Sequence, residues 1–181
     1  MAGGIGSRFW PMSTPEVPKQ FIDVLGTGRT MIQMTYDRFC KGEGALCKPQ
    51  NVWIVTSEKY VDLVRGQLPE VPEANILPEP ASRNTAPCIA YACWKIARVN
   101  PDSNIVVSPA DAFVLDSAEY RRVIGTALSL TASSTRIFTV GIKPLRPETG
   151  YGYIETGEAL GEEAFKVTAF KEKPDAPTAA K

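Results

Sequence analysis

Gly3-Gly4-Ile5-Gly6-Ser7-Arg8-Phe9-Trp10-Pro11-Met12-Ser13, with Pro18-Lys19-Gln20-Phe21 shortly after it, is the stretch around which the chain is organised. Three glycines in four positions let a ligand approach the backbone without meeting a Cβ. The exposed N–H groups of such a turn form a concave anion site, and phosphate is its usual occupant. Arg8 adds a planar fork of donors matched to phosphate oxygens, and Lys19 adds a point charge. The plain alternative is an ordinary tight turn, which the pairing with Arg8 and Lys19 disfavours. Neither common nucleotide loop fits. No Lys-Ser or Lys-Thr follows the glycines, and GGxG departs from GxGxxG.

The bulk numbers set the class. At 181 residues, 44% hydrophobic and 22% charged, the chain reads as one soluble globular domain. A chain of this length buries roughly 70% of its unfolded surface, enough for one core. Twenty basic and twenty acidic residues cancel, so no net field draws the protein to nucleic acid or a membrane. No apolar run approaches the ~20 residues of a membrane span, and no signal segment precedes the glycines. The expected location is cytoplasmic. The four cysteines, Cys40, Cys47, Cys88 and Cys93, lack CxxC spacing and have no histidine to complete a zinc site. They read as reduced thiols, partly in the core. A chain without histidine also has no Ser-His or Cys-His pair and no histidine base. Its chemistry falls to carboxylates, lysine, arginine and metal.

Outward from the glycine loop, strand and helix alternate. Thr30-Met31-Ile32-Gln33 is a capping box opening a helix with Met31, Met34 and Tyr36 or Phe39 inward. Val52-Trp53-Ile54-Val55 has the pattern of a buried parallel strand, and Ser57 caps a helix running to about Leu68. Asn75-Ile76-Leu77 is a brief strand. Thr85 caps a long helix with Ile89, Cys93, Ile96 and Ala97 on one face. Asn104-Ile105-Val106-Val107-Ser108 and Ile137-Phe138-Thr139-Val140 are expected strands, and between them Asp116 caps a helix carrying Tyr120, Ile124, Ala127 and Leu128. Such alternation requires crossovers, hence a mostly parallel sheet with helices on both faces. In the last third, Tyr151-Gly152-Tyr153-Ile154 and Phe165-Lys166-Val167-Thr168-Ala169-Phe170 read as strands with no helix between them, which gives a mixed or antiparallel extension.

Ligands of open α/β sheets bind beyond the carboxyl ends of the strands, and three further stretches sit at such ends. Pro78-Glu79-Pro80-Ala81-Ser82-Arg83-Asn84-Thr85 runs into a helix N-terminus, which favours anions. Asn84 and Thr85 read equally as plain helix-start residues. Ser108-Pro109-Ala110-Asp111-Ala112-Phe113 places an aspartate just past an apolar run, suited to Mg²⁺ or simply to a turn. Pro147-Glu148-Thr149-Gly150-Tyr151-Gly152-Tyr153-Ile154 is followed by Phe170-Lys171-Glu172-Lys173-Pro174, which alone reads as a solvated strand end.

In this order, across residues 3 to 174, these stretches resemble the sugar-phosphate nucleotidylyltransferases. The loop matches their GGxGxRLxPLS…PKQF pattern, and the set looks most like the mannose-1-phosphate guanylyltransferases among them. The resemblance implies a Rossmann-like three-layer α/β fold. It implies that Gly3, Gly4, Gly6, Ser7, Glu79, Arg83, Asn84 and Thr85 bind the nucleotide, Glu79 accepting from guanine N1–H and the exocyclic amine. It implies Arg8, Lys19 and Asp111 as catalytic, Asp111 holding Mg²⁺, and Gly152, Glu172 and Lys173 at the sugar phosphate. GTP and mannose 1-phosphate are the implied partners, and a homodimer stays open. A second metal-binding aspartate expected further along has no match here. Only Met1 and Ala2 precede the glycines, and Asp175 onward reads as a helix start. Residues 1–181 are therefore expected to be one nucleotidyltransferase domain lacking its first strand and a C-terminal portion. Two rivals remain: a relative using UTP, dTTP or ATP, and a non-catalytic nucleotide-binding fragment or regulatory subunit.

Overall fold

The structure, a computed structural model, describes residues 1–3, 9–81, 83–161 and 163–180, in two units, Met1–Ile137 and Phe138–Lys181. In the first unit β1 (Ile54–Ser57) pairs in parallel with β2 (Ile76–Glu79), Ile54 opposite Ile76 and Ser57 opposite Glu79. Successive strand side chains point to opposite faces, and each face has its own helices. Ile54 and Ile76 pack with Phe21, Tyr60, Ile32 and Tyr36 of α1 (Met31–Cys40) and Val64 of α2 (Val61–Gln67). Val55 and Leu77 pack on the other face with Cys88, Tyr91 and Ala92 of α3 (Thr85–Val99). A parallel pair covered on both faces is the arrangement expected of a crossover α/β sheet.

The chain just before the glycine loop joins this sheet. Ala2 N–H donates to the Val55 carbonyl at 2.8 Å, while the Met1 amino group donates to Ser108 and the Met1 carbonyl accepts from Ala110, both at 3.1 Å. Residues 1–2 thus lie between β1 and residues 108–110, next to the Asp111 turn.

Helix starts follow their chemistry. Gln33 Oε1 accepts from Thr30 N–H at 3.1 Å, completing the capping box of α1. Asp116 caps α4 (Ser117–Ala132) by accepting from Glu119 N–H at 2.9 Å.

Three expectations need correction. Residues 104–108 form no strand, and Ile105, Val106 and Val107 stay partly exposed. Residues 137–140 likewise form no strand, and Ile137 is 98% exposed. An apolar run becomes a strand only where a neighbour supplies the hydrogen-bond ladder. The third concerns α3, whose N-cap is Asn84, not Thr85. Ile89, Cys93 and Ile96 of that helix are only half buried, because they line a cavity of about 710 Å³ shared with residues 104–108, and Ala97 is exposed.

The second unit is a hairpin. β3 (Gly152–Ala159) runs antiparallel to β4 (Phe165–Glu172), with Gly152 opposite Glu172 and Ile154 opposite Phe170. The short α5 (Ala176–Ala179) follows, Asp175 accepting from Thr178 N–H at 3.0 Å.

Candidate active site

Lys19 opens a single 3-10 turn, Lys19–Phe21, whose other two residues are buried. Gln20 Nε2 donates to the Ala2 carbonyl at 2.8 Å, and the Thr56 hydroxyl donates to the same oxygen at 3.0 Å. Phe21 sits in the core with its ring 5.8 Å from that of Tyr60. The Pro-Lys-Gln-Phe motif therefore does two jobs. Gln20 and Phe21 fix the chain entering the glycine loop, and Lys19, between them and the solvent, is left to present its charge.

That charge meets Asp111. Lys19 Nζ lies 2.6 Å from Asp111 Oδ2, with side chains 26% and 35% exposed, and 5.6 Å from the centre of the Phe9 ring. The backbone just after Asp111 is held by a residue that sequence reasoning missed. Arg38 of α1 is 3% exposed and donates from Nη2 to the carbonyl of Ala112 at 3.1 Å. Its guanidinium lies 5.1 Å from the Tyr120 ring centre, its Nε has no partner, and burial lowers its pKa. On a helix an arginine reads as solvated surface, so no sequence signal marks it.

Glu79 ends β2 half buried, turned toward Gly3, where an added Cβ would sit 3.4 Å from Glu79 Oε2. The Cys88 thiol, in the first turns of α3, is buried. Burial first, and then the Glu79 charge, raise the Cys88 pKa. Asn84 carries φ 66° and ψ −170°, a region that only glycine enters without strain, of order 1–3 kcal/mol. Arg83 and Thr85 are exposed beside it. In the first unit Gly3, Lys19, Glu79 and Asp111 thus converge through contacts on residues 1–3. Arg8, Gly4, Gly6 and Ser7, like Ser82, lie outside the described residues.

The second unit gathers the remaining three candidates by itself. A Cβ on Gly152 would meet Phe170 Cζ at 2.5 Å and Glu172 Oε2 at 2.9 Å, so this glycine gives the aromatic ring and the carboxylate room to lie over the backbone. Lys173 holds φ 46°, and its Nζ donates to Glu172 Oε1 at 2.6 Å.

Among the described residues no group of three or more His, Cys, Asp or Glu side chains could hold a metal ion. Asp111 is instead a single hard oxygen donor. That fits Mg²⁺, which takes one or two carboxylates and completes its shell with water and substrate phosphates. No helix among the described residues is long and apolar enough to cross a membrane.

Comparison with known proteins gives the family. The nucleotidyl transferase family model matches residues 1–181. The chain is 40% identical over 186 residues to a mannose-1-phosphate guanylyltransferase of Salmonella muenchen, covering 99% of this chain and 37% of that protein. It is 37% identical over 181 residues to the xanthan biosynthesis protein XanB of Xanthomonas campestris pv. campestris, with 99% and 37% covered. The crystal structure of a mannose-1-phosphate geranyltransferase from Thermus thermophilus superposes with a TM-score of 0.84 at 30% identity, over 99% of this chain and 50% of that one. The chain therefore spans 37% of the length of these curated relatives. With the family match running from end to end, the chain belongs to the nucleotidyl transferase family.

Proposed function

We propose that this chain carries nucleotidylyl transfer from GTP to α-D-mannose 1-phosphate, giving GDP-mannose and pyrophosphate. The observation that carries the reading is the Lys19–Asp111 pair at 2.6 Å, which sets a phosphate-binding cation against a metal-binding carboxylate. The names of the relatives in the comparison support the choice of sugar.

The attacking group is an oxygen of the sugar phosphate, already anionic at pH 7 because a phosphate monoester has its second pKa near 6. No general base is required, which suits a chain without histidine. Catalysis then consists of positioning and charge neutralisation around an in-line displacement at the α-phosphorus. Lys19 neutralises the α-phosphate, and Arg8 holds the β- and γ-phosphates of the leaving pyrophosphate. Glu79 accepts from guanine N1–H and the exocyclic amine, donors that adenine lacks in that pattern, with Arg83, Asn84 and Thr85 beside it. Glu172 accepts from the sugar hydroxyls, and Lys173 pairs with the sugar phosphate. Asp111 is the residue that would hold Mg²⁺, and a bound Mg²⁺ neutralises phosphate oxygens.

A thermal-shift series with Mg²⁺ and GTP, ATP, UTP or dTTP tests the base assignment. At 100 times its Kd a ligand adds about 2.7 kcal/mol of stability, a shift of several degrees. The reading requires that shift with GTP and a far smaller one with the others. An equal or larger shift with ATP or UTP contradicts it.

A further inference from the structure

Cys40 and Cys47 have no part in the chemistry above, yet the fold brings their sulfurs into contact. Cys40 is the last residue of α1, and the chain after it reverses at once. The Phe39 carbonyl accepts from Leu46 N–H at 2.8 Å and from Cys47 N–H at 3.2 Å. Gly42 and Gly44, at φ 81° and 72°, supply the left-handed backbone that so tight a return requires. The turn is held from outside by Arg121 of α4, which donates to the Glu43 carbonyl at 2.9 Å and to that of Lys41 at 2.6 Å. The result is a half-buried pair with Sγ atoms 3.6 Å apart. A disulfide needs ~2.05 Å, and the two sulfurs already stand in contact.

We propose that Cys40 and Cys47 form a reversible dithiol–disulfide couple, oxidised by low-molecular-weight disulfides such as glutathione disulfide. Burial raises both thiols, Cys40 to about 12, and the exchange opens on Cys47. Its thiolate displaces one glutathione thiolate and forms a mixed disulfide. Cys40, giving up its proton to solvent, then attacks the Cys47 sulfur and expels the second glutathione. Two protein thiols and one glutathione disulfide become one protein disulfide and two glutathione thiols, with two electrons passing to glutathione. Of the other cysteines, Cys88 is buried against Glu79.

The test is to equilibrate the full chain in glutathione buffers from reducing to oxidising, block free thiols with iodoacetamide, and map the peptides by mass spectrometry. The expected result is that two of the four cysteines escape alkylation. Before blocking, the oxidised chain is about 2 Da lighter than the reduced one; the Cys40 and Cys47 peptides are joined, dithiothreitol reverses the change, and the circular dichroism spectrum is retained. Cys40→Ser and Cys47→Ser should each leave every remaining cysteine open to alkylation or to a stable glutathione adduct. The proposal is overturned if the wild-type chain keeps four alkylatable thiols in the most oxidising buffer. It is overturned equally by a link through Cys88 or Cys93, by a link between two chains, or by a link that forms only after the folded spectrum is lost.

Discussion

Lys19 Nζ and Asp111 Oδ2 lie 2.6 Å apart, so the cation assigned to the α-phosphate and the carboxylate assigned to the metal form one ion pair. Both side chains keep access to solvent, so the pair is worth only about 1 kcal/mol, weak enough for a triphosphate and a divalent cation to compete for its two halves. Lys19→Ala is expected to lower kcat by ~10²–10³, the scale of losing one preorganised charge donor, with Tm little changed. Asp111→Asn should act oppositely on two readouts: turnover falls, while metal-free GTP binds more tightly because Lys19 has lost its competitor. Steady-state kinetics and a metal-free titration check both. A threefold or smaller loss of kcat in Lys19→Ala contradicts the assigned role.

Asn84 offers a separation of stability from binding. Its φ of 66° with ψ −170° belongs to glycine space. Asn84→Gly should relieve strain of order 1–3 kcal/mol, offset by up to ~1 kcal/mol of added chain entropy in the unfolded state. The expected net is a slightly higher urea midpoint together with weaker GTP binding. A lower midpoint would show that the side chain, not the backbone, dominates at this position.

Gly152→Ala should weaken sugar-phosphate use with little effect on folding. The added methyl meets the tip of the Phe170 ring at 2.5 Å and a Glu172 oxygen at 2.9 Å, and Phe170 is 62% exposed, free to swing away. We expect KM for mannose 1-phosphate to rise by about tenfold, roughly the 1–3 kcal/mol of a misplaced methyl group in a pocket, while Tm moves by a few degrees at most. An unchanged KM would remove Gly152 and Glu172 from the sugar site.

Arg38 holds a buried charge with no acidic partner among the ion pairs described. Arg38→Met swaps it for an apolar chain of similar length, which for buried charges is often neutral or stabilising. The variant should fold with an unchanged or higher Tm but need more Mg²⁺ for half-maximal rate, because Ala112, the residue after Asp111, loses its tether. An unchanged Mg²⁺ requirement would make Arg38 a packing residue only.

The acid side of the stability profile follows from carboxylates held below their ordinary values. Hydrogen bonds to Tyr36, Arg65 and Arg122 depress Glu70, Glu73 and Glu119 from 4.5. In Asp23 an opposing desolvation is outweighed by hydrogen bonds from Thr27 and Gly28, depressing it from 3.8. Each contributes stability that is present above its unfolded pKa and lost as pH falls through the lower folded one. Tm should therefore decline steadily once the pH drops below the ordinary carboxylate range, and less steeply in Asp23→Asn. A profile that stays flat through acid pH would contradict this.

The sequence made local structure legible wherever the cause was local. The Thr30–Gln33 capping box, the Asp116 cap and the apolar runs of β1 and β2 all rest on neighbours in the chain. At two places where pairing at a distance decides, reading failed. Residues 104–108 and 137–140 have the composition of strands, yet nothing in that composition says whether a partner ladder is present. The Asn84 cap escaped notice because a non-glycine residue at positive φ runs against its own propensity. For the site, residue types and order pointed to Lys19, Glu79 and Asp111, but their convergence, the tether from Arg38 and the meeting of Cys40 with Cys47 are products of the fold.

The most direct test is to incubate the purified chain with GTP, mannose 1-phosphate and Mg²⁺, and follow GDP-mannose by mass spectrometry alongside pyrophosphate release. Stoichiometric GDP-mannose and pyrophosphate, strongly reduced in Lys19→Ala and absent with ATP or UTP, is the predicted result. No product from a folded chain that binds GTP, or equal product from another nucleotide, would contradict guanylyl transfer by this chain.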